Sequence, residues 1–178
     1  NDGRKLALDQ RLINPLLPEY ENSKVNACID NVLKIYHETK SQRSTQLIFC
    51  DMSTPKANEF NIYDELRKKL IENGVPDDEI AYIHNAKTDI KKKELFSKVR
   101  QGKVRILIGS TSKMGAGTNV QERLVASHDL DCPWRPSDLE QRAGRIIRQG
   151  NTNKDVYIYR YVTEQTFDAY LYQLVENK

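Results

Sequence analysis

Five short apolar runs punctuate this chain, at Gln46–Cys50, Ile80–Ile83, Val104–Ile108, Leu124–Leu130 and Val156–Val162. Between and around them, apolar residues recur at helical spacing instead. Val25, Ile29, Val32, Leu33 and Tyr36 predict a helix from Ser23 to about Glu38. Phe60, Ile62, Tyr63, Leu66, Leu70 and Ile71 predict a second, stopped by Asn73-Gly74. A third covers Thr88 to Gln101, with Leu95, Phe96 and Val99 inward and its lysines outward. A C-terminal helix is read from Phe167, Tyr170, Leu171, Leu174 and Val175. Strands alternating with helices predict an α/β fold, a single domain with a mainly parallel sheet and helices on both faces. Residues 1–22 read as irregular, because Asn14, Pro15 and Pro18 break any helix, and are expected to lie along the domain as an arm or linker. The domain proper is expected over 23–178.

A chain of 178 residues, 38% hydrophobic and 30% charged, is long enough to bury one proper core and too polar to be a membrane protein. No apolar run approaches the length of a membrane span, and no secretory signal is visible. Cys28, Cys50 and Cys132 are odd in number and scattered. They predict neither a disulfide framework nor a zinc site, and place the protein in an intracellular reducing compartment, cytoplasmic or nucleoid-associated. The net charge of +3 is too mild to imply a polyanion partner. Its distribution says more, since Lys87 to Arg105 carries eight basic residues against Asp89 and Glu94. Lys91, Lys92 and Lys93 are the candidates there for nucleic-acid backbone contact, against the blander reading of a solvated helix face.

Parallel sheets bind ligands at the C-terminal ends of their strands. That puts four polar or glycine-bearing loops on one rim, at 51–55, 84–87, 109–118 and 131–135. The last leads into Ser137-Asp-Leu-Glu-Gln-Arg-Ala-Gly-Arg-Ile-Ile-Arg-Gln-Gly150. On a helix at about 100° per residue, Leu139, Ala143, Ile146 and Ile147 form one face, while Gln141, Arg145 and Arg148 fall together on the other. Ser137 and Glu140 have capping-box spacing, and Gly150 suits a stop. Two guanidinium groups and an amide aimed together suit a nucleotide phosphate. The loop Gly109-Ser-Thr-Ser-Lys-Met-Gly-Ala-Gly-Thr-Asn119 is not a phosphate loop, because no Lys-Ser or Lys-Thr follows a glycine. Its small hydroxyls and exposed amides still suit phosphate oxygens.

Together these pieces resemble the second RecA-like lobe of superfamily-two helicases and translocases, with the Snf-type DNA-dependent ATPases the nearest in flavour. The resemblance spans roughly Gln46 to Val162. It rests on Leu47-Ile-Phe-Cys50, Tyr82-Ile-His84 with its basic helix, Gly109–Val120, Asp131-x2-Trp134-x-Pro136, and Gln141-Arg-Ala-Gly-Arg-Ile-Ile-Arg148 in that order. It implies ATP and magnesium bound between two lobes of the full-length protein, with none bound to this chain alone. It casts Arg148 as the arginine finger and Arg145 as its partner, with Gln141, Gly117 and Asn119 on the nucleotide side. Ser110 and Thr111, with Ser53 and Thr54, would contact the backbone of DNA, RNA not excluded. Asn85 where the family has glycine, and Arg148-Gln-Gly150 in place of Arg-Ile-Gly, mark a divergent member. Neither a phosphate loop nor an Asp-Glu-x-His box occurs in these residues, and the chain begins at Asn1. It is therefore expected to be half of an active site, partnered by the first lobe of the same polypeptide and inactive without it. Two other readings stay open: a non-enzymatic RecA-like module that binds nucleic acid or a partner, and a methyltransferase-like domain using Gly115-Ala-Gly117, with Asp129 or Asp131 on a cofactor ribose.

Overall fold

A computed structural model describes residues 2–114, 118–133, 135–144, 146–163 and 173–175. Its centre is a five-stranded, wholly parallel sheet in the order β2-β3-β1-β4-β5, formed by β1 (Thr45–Phe49), β2 (Ile80–Tyr82), β3 (Ile106–Gly109), β4 (Leu124–Asp129) and β5 (Tyr157–Arg160). The helices are α1 (Asp2–Leu8), α2 (Lys24–Glu38), α3 (Ile62–Glu72), α4 (Asp89–Arg100) and α5 (Pro136–Ala143). The α/β reading, the parallel sheet and the covering helices are all present. All five residues of β1 are buried because both faces of the central strand are covered. Ile48, Cys50, Ile106 and Ile108 point to one face and pack with Val25, Val32, Leu66 and Leu70 of α2 and α3. Leu47, Phe49 and Leu107 point to the other and pack with Phe96 and Val99 of α4.

Helix starts follow the sequence closely. Ser23, Asn61 and Thr88 each accept a backbone N–H of the first turn of α2, α3 and α4. The N-terminal segment differs from expectation, because Asp2–Leu8 is helical. The helix breakers lie further on, and Ala7 and Leu8 are buried against the domain. Arg4 Nη2 donates to the Cys132 carbonyl at 2.6 Å, and Arg11 pairs with Asp9 and Glu65 while lying 4.5 Å from the Phe60 ring centre. Of the C-terminal helix, 173–175 is helical and the remainder lies outside the described residues.

A buried polar chain crosses the sheet. Gln46 Nε2 donates to the Val32 carbonyl at 3.0 Å, so its Oε1 is left to accept from His128 Nε2 at 2.8 Å. His128 Nδ1 then accepts from the Tyr161 hydroxyl at 2.8 Å, and that oxygen accepts from Asn31 Nδ2. The histidine must be neutral to take this part, and burial lowers its pKa to about 3. The unfolded chain binds this proton near pH 6.5, so acidification costs stability from there down to about 3. Asp129 acts in the opposite sense, since burial raises its pKa to about 6 and protonation below that favours the fold. The two slopes offset one another between about 6 and 4 in the wild type. Removing the histidine exposes the aspartate's slope. His128→Gln should therefore gain on the wild type by on the order of 1 kcal/mol per pH unit as pH falls from 6 to 4. Urea unfolding of both proteins across that range measures it, and a constant difference would contradict it.

Candidate functional site

From β1 the chain first runs to the edge strand β2 and returns through β3 beside β1, then crosses to the other side of β1 with β4 and β5. The crevice where these directions part lies at the C-terminal strand ends. Three aspartates meet there: Asp51 just past β1, Asp129 at the end of β4, and Asp131 two residues on. Asp131 Oδ2 accepts the backbone N–H of both Asp51 and Met52 at 2.7 Å. Asp51 in turn accepts the Thr111 N–H at 2.7 Å and the Thr111 hydroxyl at 2.8 Å. Each carboxylate thus holds the neighbouring loop.

A buried guanidinium bridges the cluster, and Arg160 reaches Asp129 from the side at 3.6 Å. Arg142, the seventh residue of α5, is 1% exposed. Its Nη2 lies 3.0 Å from both Asp51 Oδ2 and Asp131 Oδ1, and Nη1 lies 3.5 Å from Asp129 Oδ1. Nη1 also donates to the Asp131 carbonyl, and Nε to the Thr111 hydroxyl, each at 2.8 Å. Burial disfavours the charged guanidinium, but Asp131, Asp51 and Asp129 outweigh it and raise its pKa. Asp129 stays above the usual carboxylate range because its burial outweighs Arg142 and Arg160.

A polar cleft of about 500 Å³ opens over this cluster, lined by Asp51, Thr54, His84, Ser110, Thr111, Ser112, Lys113, Arg135, Asp138 and Gln141. Gly109 begins the β3 rim loop. A Cβ there would stand 2.8 Å from Ile83 and 2.9 Å from Met114, so only glycine lets the loop turn in against the β2 end. His84 packs edge-on to Tyr63, and burial with Lys113 nearby lowers its pKa. Arg135 reaches Asp138 at 3.4 Å.

The sequence-derived site is partly regrouped. The helix expected to run to Gly150 ends at Ala143. Gly144 caps it, and the chain leaves the axis so that Ile146 can enter the core beside Leu47, Phe49 and Leu107. Gln141 and Arg148 therefore share no common helix face. Gln141 lines the cleft with Ser110 and Thr111, whereas Arg148 lies on a separate groove with Gln149, Asn151 and Lys154. Arg148 is exposed, but its Nη1 is held by the Thr118 carbonyl at 2.9 Å. Asn119 is next to that anchor, its carbonyl accepting from Arg100. Arg145 and Gly117 lie outside the described residues. The Ser137 capping box does not form, because Arg135 is the N-cap and Pro136 takes the first helical position.

Thr54 and Ser110 line the cleft. The Thr111 hydroxyl is committed to Asp51 and Arg142. Ser53 is buried, and its hydroxyl accepts the Ile62 N–H at the start of α3. Lys91 and Lys93 stand on opposite flanks of α4, about 160° apart, so the three lysines make no row. Lys91 lines a different groove, with Asp77, Asp78 and Glu94.

Arg142 escaped the sequence reading, as did Ser112, Lys113 and Arg135 as cleft residues. A signal for Arg142 was present. It sits about 60° from buried Leu139 on the helix, so it flanks the inward face. The acids able to receive it stand just past two predicted strands.

An open α/β sheet with a polar crevice at its strand switch defines a RecA-like domain. Residues 23–150 match the helicase conserved C-terminal domain, and the chain belongs to that family. The uncharacterized ATP-dependent helicase YqhH of Bacillus subtilis (strain 168) is 37% identical over 89 residues, which is 49% of this chain and 15% of the relative. Among solved structures, the C-terminal part of the Fun30 ATPase domain superposes with a TM-score of 0.68 at 21% identity, covering 91% of this chain and 48% of that one. The DUF1998 helicase MrfA bound to DNA gives 0.58 at 13% identity, covering 84% of this chain and 20% of that one. The chain therefore spans less than half the length of each of these relatives. Among the described residues, no helix is long and apolar enough to cross a membrane.

Removing the cation at the centre of this site takes the shared guanidinium from Asp51 and Asp131 and leaves Asp129 with Arg160 at 3.6 Å. Arg142→Ala should cost about 3–5 kcal/mol in urea unfolding near neutral pH. The deficit should shrink as pH falls towards about 6, because without the guanidinium buried Asp129 takes its proton at a higher pH than the about 6 it has beside Arg142. A loss below about 1 kcal/mol would show the cluster to be a weak surface-type pairing.

Proposed function

We propose that this domain is the second motor lobe of an ATP-dependent nucleic-acid translocase of the Snf-type kind. The observation that carries the reading is the docking of two rim segments on each other. Arg142 holds Thr111 beside a polar cleft, and Arg148 is held by Thr118 with its outer edge exposed. The relatives point the same way. One is printed as an ATP-dependent helicase, and MrfA is described bound to DNA and, separately, to DNA and AMPPNP.

In this reading Thr54, Ser110, Ser112, Lys113, Arg135 and Gln141 meet the phosphate backbone of DNA, with Lys91 to Lys93 adding only longer-range charge. Such contacts carry little sequence information, which suits a motor that steps along any sequence. ATP and magnesium are held mainly by a first lobe, and ATP supplies the phosphoryl group whose transfer is accelerated. A guanidinium anchored through one nitrogen suits this partner, because it is held in place while its outer edge stays exposed. Arg148 neutralises charge developing on the γ-phosphoryl oxygens, and Arg145 assists. Among the described residues no cluster of His, Cys, Asp or Glu is suited to a metal ion, so these residues are not assigned to the magnesium.

The test is ATP turnover. In a polypeptide carrying both lobes, Arg148→Ala should lower DNA-stimulated turnover roughly 10³-fold or more, with little change in ATP affinity. The 178-residue chain alone should not hydrolyse ATP. Near-normal turnover of the variant would remove Arg148 from the finger role. Robust hydrolysis by the single domain, abolished by the same substitution, would overturn the two-lobe reading.

A further inference from the structure

The cleft occupies one end of the sheet, and cations gather at the other. The turns that feed β1, β3 and β4 cover 40–44, 101–105 and 119–123, and Arg100 closes α4 beside them. Lys40, Arg43, Arg100, Lys103, Arg105 and Arg123 stand there against Glu122. In the acidic turn before β2, Glu79 is engaged by Tyr36 and Arg43 and Asp77 by Arg67, which leaves Asp78. Three of the guanidinium groups are moored from behind. Arg43 Nε donates to the Gly102 carbonyl at 2.8 Å, and Arg100 Nη1 to that of Asn119 at 2.7 Å. Arg123 donates through Nε to the Arg100 carbonyl at 2.9 Å and through Nη1 to that of Gln42 at 2.8 Å. Each mooring crosses from one turn to another, so the three turns make one surface. Gly102, at φ +73°, lets two arginines lie against it, since a Cβ there would meet Arg43 Cβ at 2.9 Å and Arg123 Cδ at 3.2 Å. Arg105 is 1% exposed, spends Nε and Nη2 on the carbonyls of Ser44, Tyr36 and Thr39, and keeps Nη1 without a partner. Burial lowers its pKa, and the Arg43 charge adds to that. Carbonyls hold these cations in place without neutralising them, and like charges fixed together draw anions to the surface.

We propose that this end of the sheet is a second nucleic-acid surface, which takes the phosphate backbone of a DNA duplex. Strands β3, β1 and β4 are neighbours about 4.8 Å apart, so their turns spread the cations across roughly 10 Å. Over that length one DNA strand presents about three phosphates. A guanidinium moored through one edge has lost its mobility and still offers donors in a fork that matches phosphate oxygens. Among the described residues, none of the exposed large apolar side chains lies on these turns, so the surface has no anchor for a lipid bilayer. It lies at the opposite strand ends from the cleft and does not depend on what the cleft binds.

The test is duplex affinity of the 178-residue chain across a salt series, with a short mixed-sequence DNA. Lys40 and Lys103 are exposed and take no part in the moorings, so Lys40→Gln/Lys103→Gln removes charge without loosening the turns. It is compared with wild type and with a cleft variant, Lys113→Gln/Arg135→Gln. The first variant should bind the duplex about tenfold or more weakly near physiological salt, and its slope of log affinity against log salt should be shallower by about two. Thermal melting checks that each variant is folded, and the single substitutions decide if the pair does not fold. Wild-type affinity and slope in the Lys40→Gln/Lys103→Gln variant would overturn the second surface. So would polyglutamate that, charge for charge, displaces the duplex from the cleft variant as well as DNA does, because the surface would then belong to an acidic protein segment. A cleft variant that binds as the wild type does would count against the cleft and leave this surface standing.

Discussion

Everything on the ligand rim of this domain depends on one buried guanidinium. Parallel strands end in loops whose backbone N–H groups need acceptors, and here Asp51 and Asp131 supply them, with Asp129 beside them. Three carboxylates within reach of one another in a crevice would repel and would lose their hydration. Arg142 removes both penalties at once, because its planar fork faces Asp51, Asp129 and Asp131 and still has a nitrogen for Thr111. Without it the loops after β1, β3 and β4 would have no common anchor. The burial of such a cluster is not in itself a gain in stability. Its effect is to fix where three loops stand relative to α5.

The family match and the fold place this arrangement in a helicase C-terminal domain. On that scaffold the cleft and the Arg148 groove are separate surfaces. Ser110, Ser112, Lys113 and Arg135 give the cleft hydroxyls and cations, the character that the proposed backbone contacts need. Arg148 is exposed with its root fixed by the Thr118 carbonyl, which suits the nucleotide role proposed for it.

Strands and helices were legible because each is written locally. Ser23, Asn61 and Thr88 stand where helices begin, and Gln46–Cys50 has no polar alternation because the strand is buried on both faces. The rim loops were legible from strand direction alone. The path of 136–148 was not. Leu139, Ile146 and Ile147 fit one long helix, but Leu139 packs with Cys132 and Val175 while Ile146 enters the core beneath β1 and β3. Two separate cores claim one apolar stripe, and the chain breaks at Gly144 to reach both. Periodicity cannot reveal that, since it does not say which neighbour receives each side chain. Arg142 was hidden for a related reason. An arginine reads as surface until the acids that receive it are known to converge, and Asp51 and Asp131 are 80 residues apart in the chain.

The central claim is that these loops are locked to the sheet by Arg142 rather than resting on it. Amide hydrogen exchange in the 178-residue chain measures this directly. The N–H groups of Asp51, Met52 and Thr111 donate to carboxylates, whereas that of Cys50 donates to Gly109 in the sheet ladder. If the lock holds, all four exchange through the same global opening with similar protection. Loop amides that exchange orders of magnitude faster than Cys50 would show that the rim opens locally, and would contradict the account.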